Sequence, residues 1–411
     1  MKRSRAKRPS AKPPTIQKPA ADPALWSLDP DVTFLNHGSF GACPREVVKF
    51  QRGIQNRMER QPVRFFVRDL EPLWDRARTD LAAFLGADAN GLVFVPNATS
   101  GVNTVLRSLE CRPGEEWLVT DHEYNACRNA LAYAAQRVGA RLVVARIPFP
   151  LRSEEEVVDA VLRRVTRHTR LALLDHVTSQ TGMILPLRRL IAELEARDVE
   201  TIVDGAHAPG MIPLNLRELN AAYYTGNCHK WLCAPKTAGF LHVREDRRHN
   251  VRPLVISHGA NSSRIDRSRF LLEFGWMGTW DPSAWVSVPR ALRFMESLLS
   301  GGWPAIMERN RRLALAGRSV LCEALGIEPP CPDNMIGSLA SVPLPDSESI
   351  EPPESPLYLD ALQEELLARS GIEVPVIPWP APPKRLLRVS AQLYNSLPQY
   401  RRLAAALGRL I

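Results

Sequence analysis

Hydrophobic positions between residues 90 and 245 fall into short runs, each closed by polar residues or glycine and followed by a stretch of helical spacing. Leu92 to Val95, Trp117 to Thr120, residues 141–146, residues 171–175, Thr201 to Val203 and Tyr223 to Thr225 read as strands, with Gly239 to Val243 as another. Between them Val102, Val105, Leu106 and Leu109 recur with a helical period, residues 187–197 do likewise, and Ser153 with Glu156 has the form of a capping box. Upstream, Leu73, Ala77, Leu81 and Leu85 make a core-facing helical stripe that Gly86 terminates. Strands alternating with helices predict an α/β domain around a mainly parallel sheet, with ligands gathered at the carboxyl ends of the strands.

The flanks read differently. Residues 31–44 form a strand followed by a glycine-rich turn through Gly38 and Gly41, where backbone can approach a ligand closely. Residues 282–299 read as a helix, 300–304 as a turn, and 329–356, rich in Pro, Ser and acids, as surface loop. A chain of 411 residues suits a large domain with a smaller one. The division expected is a tail over 1–23, a large domain over 24–299 and a small C-terminal domain over 300–411.

Composition is that of an ordinary globular protein, 45% hydrophobic and 24% charged. No apolar run reaches the length of a membrane span and no signal peptide opens the chain, so the cytoplasm is expected. Seven cysteines without zinc-finger spacing read as reduced thiols. The net charge of +9 invites a nucleic-acid reading, but seven Lys and Arg sit in the first 20 residues, and the remainder carries about +2. That Pro- and Ser-rich basic tail is expected to be disordered, and nucleic acid is not expected as a partner.

Lys230 carries the candidate chemistry. It lies between His229 and Trp231 on a polar loop joining two β-prone runs, and an amine held between apolar rings loses hydration and becomes a nucleophile toward carbonyl carbon. About 25 residues upstream, the hydrophobic run 201–203 ends in Asp204 with His207 close behind. Pyridoxal 5'-phosphate needs such a carboxylate to keep its ring nitrogen protonated. The pair could also ligate a metal, but no His-Glu-x-x-His or third clustered ligand accompanies it, and no metal is expected. No strand is followed by Gly-x-Gly-x-x-Gly, and no phosphate loop of the Gly-Lys-Ser/Thr type occurs, which disfavours dinucleotide enzymes and nucleotidases.

With Lys230, Asp204 and the segments around them, residues 30–400 resemble the class V aminotransferase family of fold-type I pyridoxal-phosphate enzymes, within it the isopenicillin N epimerase-like branch. The resemblance implies a large domain on a mainly parallel, seven-stranded type of sheet and a smaller α+β C-terminal domain. It implies that Thr99 and Ser100, at a helix start suited to anions, hold the cofactor phosphate. His122 would stack on the cofactor ring, with Tyr124 in reserve. Ser179, where desulfurases of the family have Asn, would contact the phenolic oxygen, with Gln180 as substitute; His207 and His229 would complete the cofactor site. Asn36 and the Gly38 region would lie near the substrate carboxylate, and Arg388 would pair with it. Gly278 and Thr279 would reach the partner's cofactor phosphate, so a homodimer with shared sites is expected. The substrate is expected to be an amino acid, with Lys230 as the base that removes its α-proton. Epimerisation leads, with a carbon–sulfur lyase or aminotransferase as alternative. The loop 371–379, where persulfide-forming desulfurases carry a nucleophilic Cys, has none. A basic-tailed binding protein on an inherited fold remains the non-enzymatic reading; the joint presence of Lys230, Asp204 and Arg388 speaks against it.

Overall fold

A computed structural model describes residues 15–351, 357 and 360–411. Among them are twelve strands: β1 (Thr33–Phe34), β2 (Leu92–Val95), β3 (Glu116–Thr120), β4 (Arg141–Ala145), β5 (Thr169–Asp175), β6 (Glu200–Gly205), β7 (Tyr223–Asn227), β8 (Gly239–Val243), β9 (Leu339–Pro343), β10 (Ile372–Glu373), β11 (Val376–Pro378) and β12 (Arg385–Ser390). Seven make the central sheet in the order β2-β8-β7-β6-β5-β3-β4. The pairings β4-β3, β3-β5, β5-β6 and β6-β7 are parallel, and β8 runs antiparallel to both its neighbours. The expected mainly parallel α/β sheet is what forms.

Alternation along the strands sorts their side chains onto two faces, and both faces are buried, as parallel sheets require. Phe94, Leu118, Leu174, Val203 and Phe240 join one core, while Val93, Val119, Leu173, Ile202 and Leu241 join the other. Helices between the strands begin and end on local signals. Asn97 caps the helix Ala98–Ser108 by accepting from the Ser100 N–H at 2.9 Å. Gly86 ends the helix Leu70–Leu85 in a left-handed conformation, φ 59°. The capping box expected at Ser153 does not close: Glu156 accepts from the Arg152 N–H, and Ser153 makes no side-chain cap bond.

The C-terminal part is built on a small antiparallel sheet, β11-β12-β9, packed with the helices Gly302–Leu325 and Leu397–Leu407. Two expectations change here. The presumed loop 329–356 contains β9, because its short Leu339-Ala340-Ser341-Val342 run is buried against β12. The presumed helix 282–299 is two, Ser283–Val286 and Val288–Ser297, meeting at Ser287. Residues 1–14 of the basic tail lie outside the described residues. From Thr15 the chain is anchored, with Leu397 N–H donating to Ile16 O and Ala20 N–H to Leu393 O, and Trp26 packs edge-on against Tyr394, so residues 15–23 are held against the C-terminal part. β1 then pairs with β10, tying the N-terminal segment to the C-terminal part.

Candidate active site

β3, β5, β6 and β7 all end at the same edge of the sheet, and beyond that edge the chain from Cys228 to Ala238 makes the loop that carries Lys230. The loop is closed by Cys228 N–H to Ala238 O (2.8 Å) and Cys233 N–H to Lys230 O (3.0 Å). Its tightness shows in two non-glycine residues at positive φ, Cys233 (56°) and Thr237 (68°). Gly41 passes so close that a Cβ there would overlap the His229 carbonyl, which explains the glycine in the N-terminal turn. His37 Nε2 meets Lys230 O at 3.0 Å, and its Nδ1 meets the Tyr394 hydroxyl at 2.7 Å.

Lys230 Nζ lies 2.9 Å from His207 Nε2, and the Trp231 indole N–H lies 3.4 Å from His207 Nδ1. An indole N–H can only donate, so Nδ1 accepts and the imidazole proton resides on Nε2. That N–H then faces the lysine nitrogen and is satisfied only by a lone pair, which a neutral amine has and an ammonium lacks. Burial acts in the same sense: it lowers Lys230 to about 7, helped by the positive Arg388, while Asp204 opposes the shift. His207 is held well below its ordinary range by burial and the neighbouring cations, and stays neutral.

Asp204 ends the run of β6 with Oδ1 accepting from Ala206 N–H (2.8 Å) and Oδ2 from the Cys127 thiol (3.0 Å). Arg388, on β12, is buried; it donates to Ser179 O (2.7 Å) and Ser179 Oγ (3.3 Å) and, through its other terminal nitrogen, to Ser39 Oγ (2.8 Å). Among the described residues no carboxylate pairs with it, and burial lowers it to about 10.

Thr99, Ser179, Asp204, His207, His229 and Lys230 line one cavity of about 390 Å³, and Arg388 lies directly behind its Ser39 and Ser179 walls. The other expected residues are elsewhere. His122 is fully buried behind the wall, bonded to Thr181 Oγ1 (2.9 Å) and Ile147 O (3.2 Å) and packed edge-on against Trp379, so it has no face to offer a ring in the cavity. Tyr124, the reserve, lines the cavity. Ser100 turns its N–H and hydroxyl to Asn97 rather than to the cavity. Asn36 donates to Glu373 and accepts from Ser39 Oγ, so it backs the wall that Ser39 forms. Gly278 and Thr279 do not line the cavity of their own chain. Ser39, Asp175, Asn227 and Lys236 line it without having been singled out in the sequence. Asp175 and Asn227 end strands β5 and β7, and that position alone was the available signal.

The aminotransferase class-V family pattern matches residues 54–395. An isopenicillin N epimerase of Amycolatopsis lactamdurans is 38% identical over 93% of this chain and 96% of its own length. A probable chloroplastic L-cysteine desulfhydrase of Arabidopsis thaliana is 29% identical over 93% of this chain and 84% of its own. Among solved structures, a cystine C–S lyase in complex with its product cysteine persulfide superposes with a TM-score of 0.75 at 20% identity, covering 92% of this chain and 98% of that one, a likeness of fold. The protein therefore belongs to the aminotransferase class-V family and is an enzyme that works with pyridoxal 5'-phosphate.

Proposed function

We propose that the enzyme removes the α-proton of an amino-acid substrate and returns it on the other face, as an epimerase of the isopenicillin N epimerase type. The observation that carries this reading is the pairing, at one cavity, of a lysine held as free base with a buried guanidinium that has no acidic partner among the described residues. A base and an unpaired cation are what an α-amino acid requires, one for its α-proton and one for its carboxylate.

The cavity fits pyridoxal phosphate on its own evidence. At the closed end, both oxygens of buried Glu123 and Oδ2 of Asp175 have no hydrogen-bond partner among the described residues, beside an Asp204 carboxylate that faces the cavity. Such a cluster of acids is the counterpart of a cationic ring N–H. Thr99, at the start of the helix Ala98–Ser108, and His229 would hold the phosphate, Asp204 the ring nitrogen, Ser179 or His207 the phenolic oxygen, and Tyr124 would cover the ring face. When bound, the cofactor supplies an electron sink that acidifies the substrate α-carbon. Lys230 Nζ supplies the covalent attachment and then the base. His207 Nε2–H orients its lone pair. Arg388 turns its two terminal nitrogens from the Ser39 and Ser179 oxygens to the substrate carboxylate. No cysteine lines the cavity among the described residues, which speaks against a persulfide-forming route.

The active unit on this reading is a homodimer in which Gly278 and Thr279 serve the partner's phosphate site. Seven unpaired thiols suit a reducing compartment, the cytoplasm. The test incubates the holoenzyme with isopenicillin N, cysteine, cystine and a cysteine-conjugate sulfoxide, following stereochemical inversion and pyruvate separately. Inversion without pyruvate is expected; pyruvate from a sulfur substrate, with no inversion, would assign a carbon–sulfur lyase instead.

A further inference from the structure

Glu123, one of the acids beside Asp204, lies just beyond the end of β3 and is 2% exposed, and no step of the proposed reaction is assigned to it. Neither of its oxygens has a hydrogen-bond partner among the described residues, and the same holds for Oδ2 of Asp175. The register of β5 against β6 sets Asp175 directly beside Asp204. Glu123, Cys127 and Asp204 bring their polar atoms within 4.8 Å of one another. Three carboxyl groups and one thiol thus meet in the interior, with the Lys230 amine across the cavity.

Their donors are unequally shared. Asp204 receives the Ala206 N–H and the Cys127 thiol. Glu123 receives neither. Three adjacent carboxylates cannot all ionise out of water, since like charges sharing a site retain a proton. Burial raises Glu123 well above its ordinary range, and its contact with Asp175 raises it further; Asp175 is raised by burial and by Asp204, but the same contact with Glu123 lowers it. Both oxygens of Glu123 lack a donor, against one of Asp175, so the shared proton belongs on Glu123, where its O–H can serve the orphaned Oδ2 of Asp175.

We propose that Glu123 is a protonated acid donating its O–H to Asp175, and that this pair holds a second negative charge beside Asp204 that keeps a ring nitrogen bound there protonated. Glu123 is on this view a positioning residue acting through Asp175, and the second half of the proposal rests on the pyridoxal-phosphate reading of the Asp204 site. The rival occupant of the same acids is a divalent cation on Glu123, Cys127 and Asp204.

Two measurements test it. In the infrared spectrum of the cofactor-free protein at neutral pH, the carbonyl band of a protonated carboxylic acid is present and disappears in Glu123→Gln. In holoenzyme loaded with ring-15N pyridoxal phosphate, the ring-nitrogen NMR shift is followed against pH. Glu123→Gln, whose amide still donates to Asp175, keeps the ring protonated over the wild-type range. Asp175→Asn, which removes the charge, loses the ring proton about one pH unit lower and binds cofactor about tenfold more weakly. Glu123→Leu removes the donor, so that Asp175 must take the proton itself; it gives the same downward shift and stands in should Asp175→Asn not fold. Absence of the acid band in the wild type, its survival in Glu123→Gln, an unmoved ring nitrogen in Asp175→Asn and Glu123→Leu, or one equivalent of divalent metal in the purified protein would each overturn the proposal. Failure of the cofactor reading looks different: the protein yields no bound ring-nitrogen signal, although the infrared band is still lost in Glu123→Gln.

Discussion

Lys230 is a lysine that its surroundings hold neutral, and this has a direct kinetic consequence. Below about pH 7 the amine is protonated and inert toward an aldehyde; above it the lone pair is free. Capture of pyridoxal phosphate by the apoprotein, followed by absorbance in a stopped-flow instrument, should therefore accelerate through pH 7 and level off near about pH 8. A rate still climbing toward about pH 10, as for an ordinary lysine, would refute the neutral-amine geometry. Arg388 makes a separate prediction. On the proposed reading, replacing it with Ala removes two charge-assisted hydrogen bonds to the substrate carboxylate, together worth about 3 kcal/mol, and should lower kcat/KM roughly 100-fold while the cofactor spectrum is unchanged. Arg388→Lys should recover little, because a point charge lacks the planar fork. Loss of cofactor in either variant would instead mean that the arginine supports the cofactor site. Both residues stood out in the sequence because each is a charged group in an apolar setting, and the structure places both at the cavity, Lys230 in its lining and Arg388 behind it. His122 stays out of the cavity for a geometric reason. Glu123 N–H bonds back to Thr120 O, and this turn at the end of β3 leaves His122 buried behind the wall while Tyr124 reaches the cavity, a reversal that residue spacing does not encode.

The elements are held against each other by contacts as local as single glycines. Gly101 lies in the helix Ala98–Ser108, and a Cβ there would overlap the Thr225 side chain on β7, whose hydroxyl is fixed by a 2.8 Å bond to Phe240 O. Gly53, in the helix Arg45–Arg60, has nothing within 4 Å of the same position. The two glycines should therefore respond oppositely to one change. Gly53→Ala should stabilise the protein by about 0.5–1 kcal/mol through the backbone entropy of the unfolded chain. Gly101→Ala should destabilise it by about 1–3 kcal/mol and, by pushing the helix start away from β7, loosen the proposed phosphate site at Thr99. Urea denaturation with cofactor titration would measure both; equal effects at the two positions would show that the Gly101 contact relaxes freely. At this scale the sequence was informative wherever periodicity was long, as in the sheet strands and their intervening helices. It failed at β9, where a run of five residues containing one serine and closed by proline carries almost no alternation and becomes a strand only because β12 is there to pair with it.

On the scale of the whole molecule, the loop carrying Gly278 and Thr279 is the part whose purpose a single chain leaves open. Trp276 packs edge-on against Phe66, and Trp280 against Trp74, fixing the loop beside the turn that precedes the helix Leu70–Leu85. Arg264 and Arg267 pair with Glu71 and bring the 264–267 segment to the same place. Around this neighbourhood Val63, Val67 and Ile265 stand 71%, 73% and 99% exposed, an apolar grouping that water disfavours and a second copy would cover. The proposed homodimer would place its interface here, a location the sequence could not supply because these three residues are scattered over 200 positions. The wild-type protein should sediment as a dimer at micromolar concentration. The double variant Val67→Asp, Ile265→Asp should sediment as a folded monomer, with native circular dichroism, and should release its cofactor more readily, since on the proposed shared-site reading Gly278 and Thr279 would no longer reach the partner's phosphate site. A monomeric wild type would sink the shared-site reading outright. A double variant that stays dimeric would move the interface elsewhere on the surface, and one that becomes monomeric yet retains its cofactor as tightly as the wild type would show that each cavity holds the phosphate with Thr99 and His229 alone.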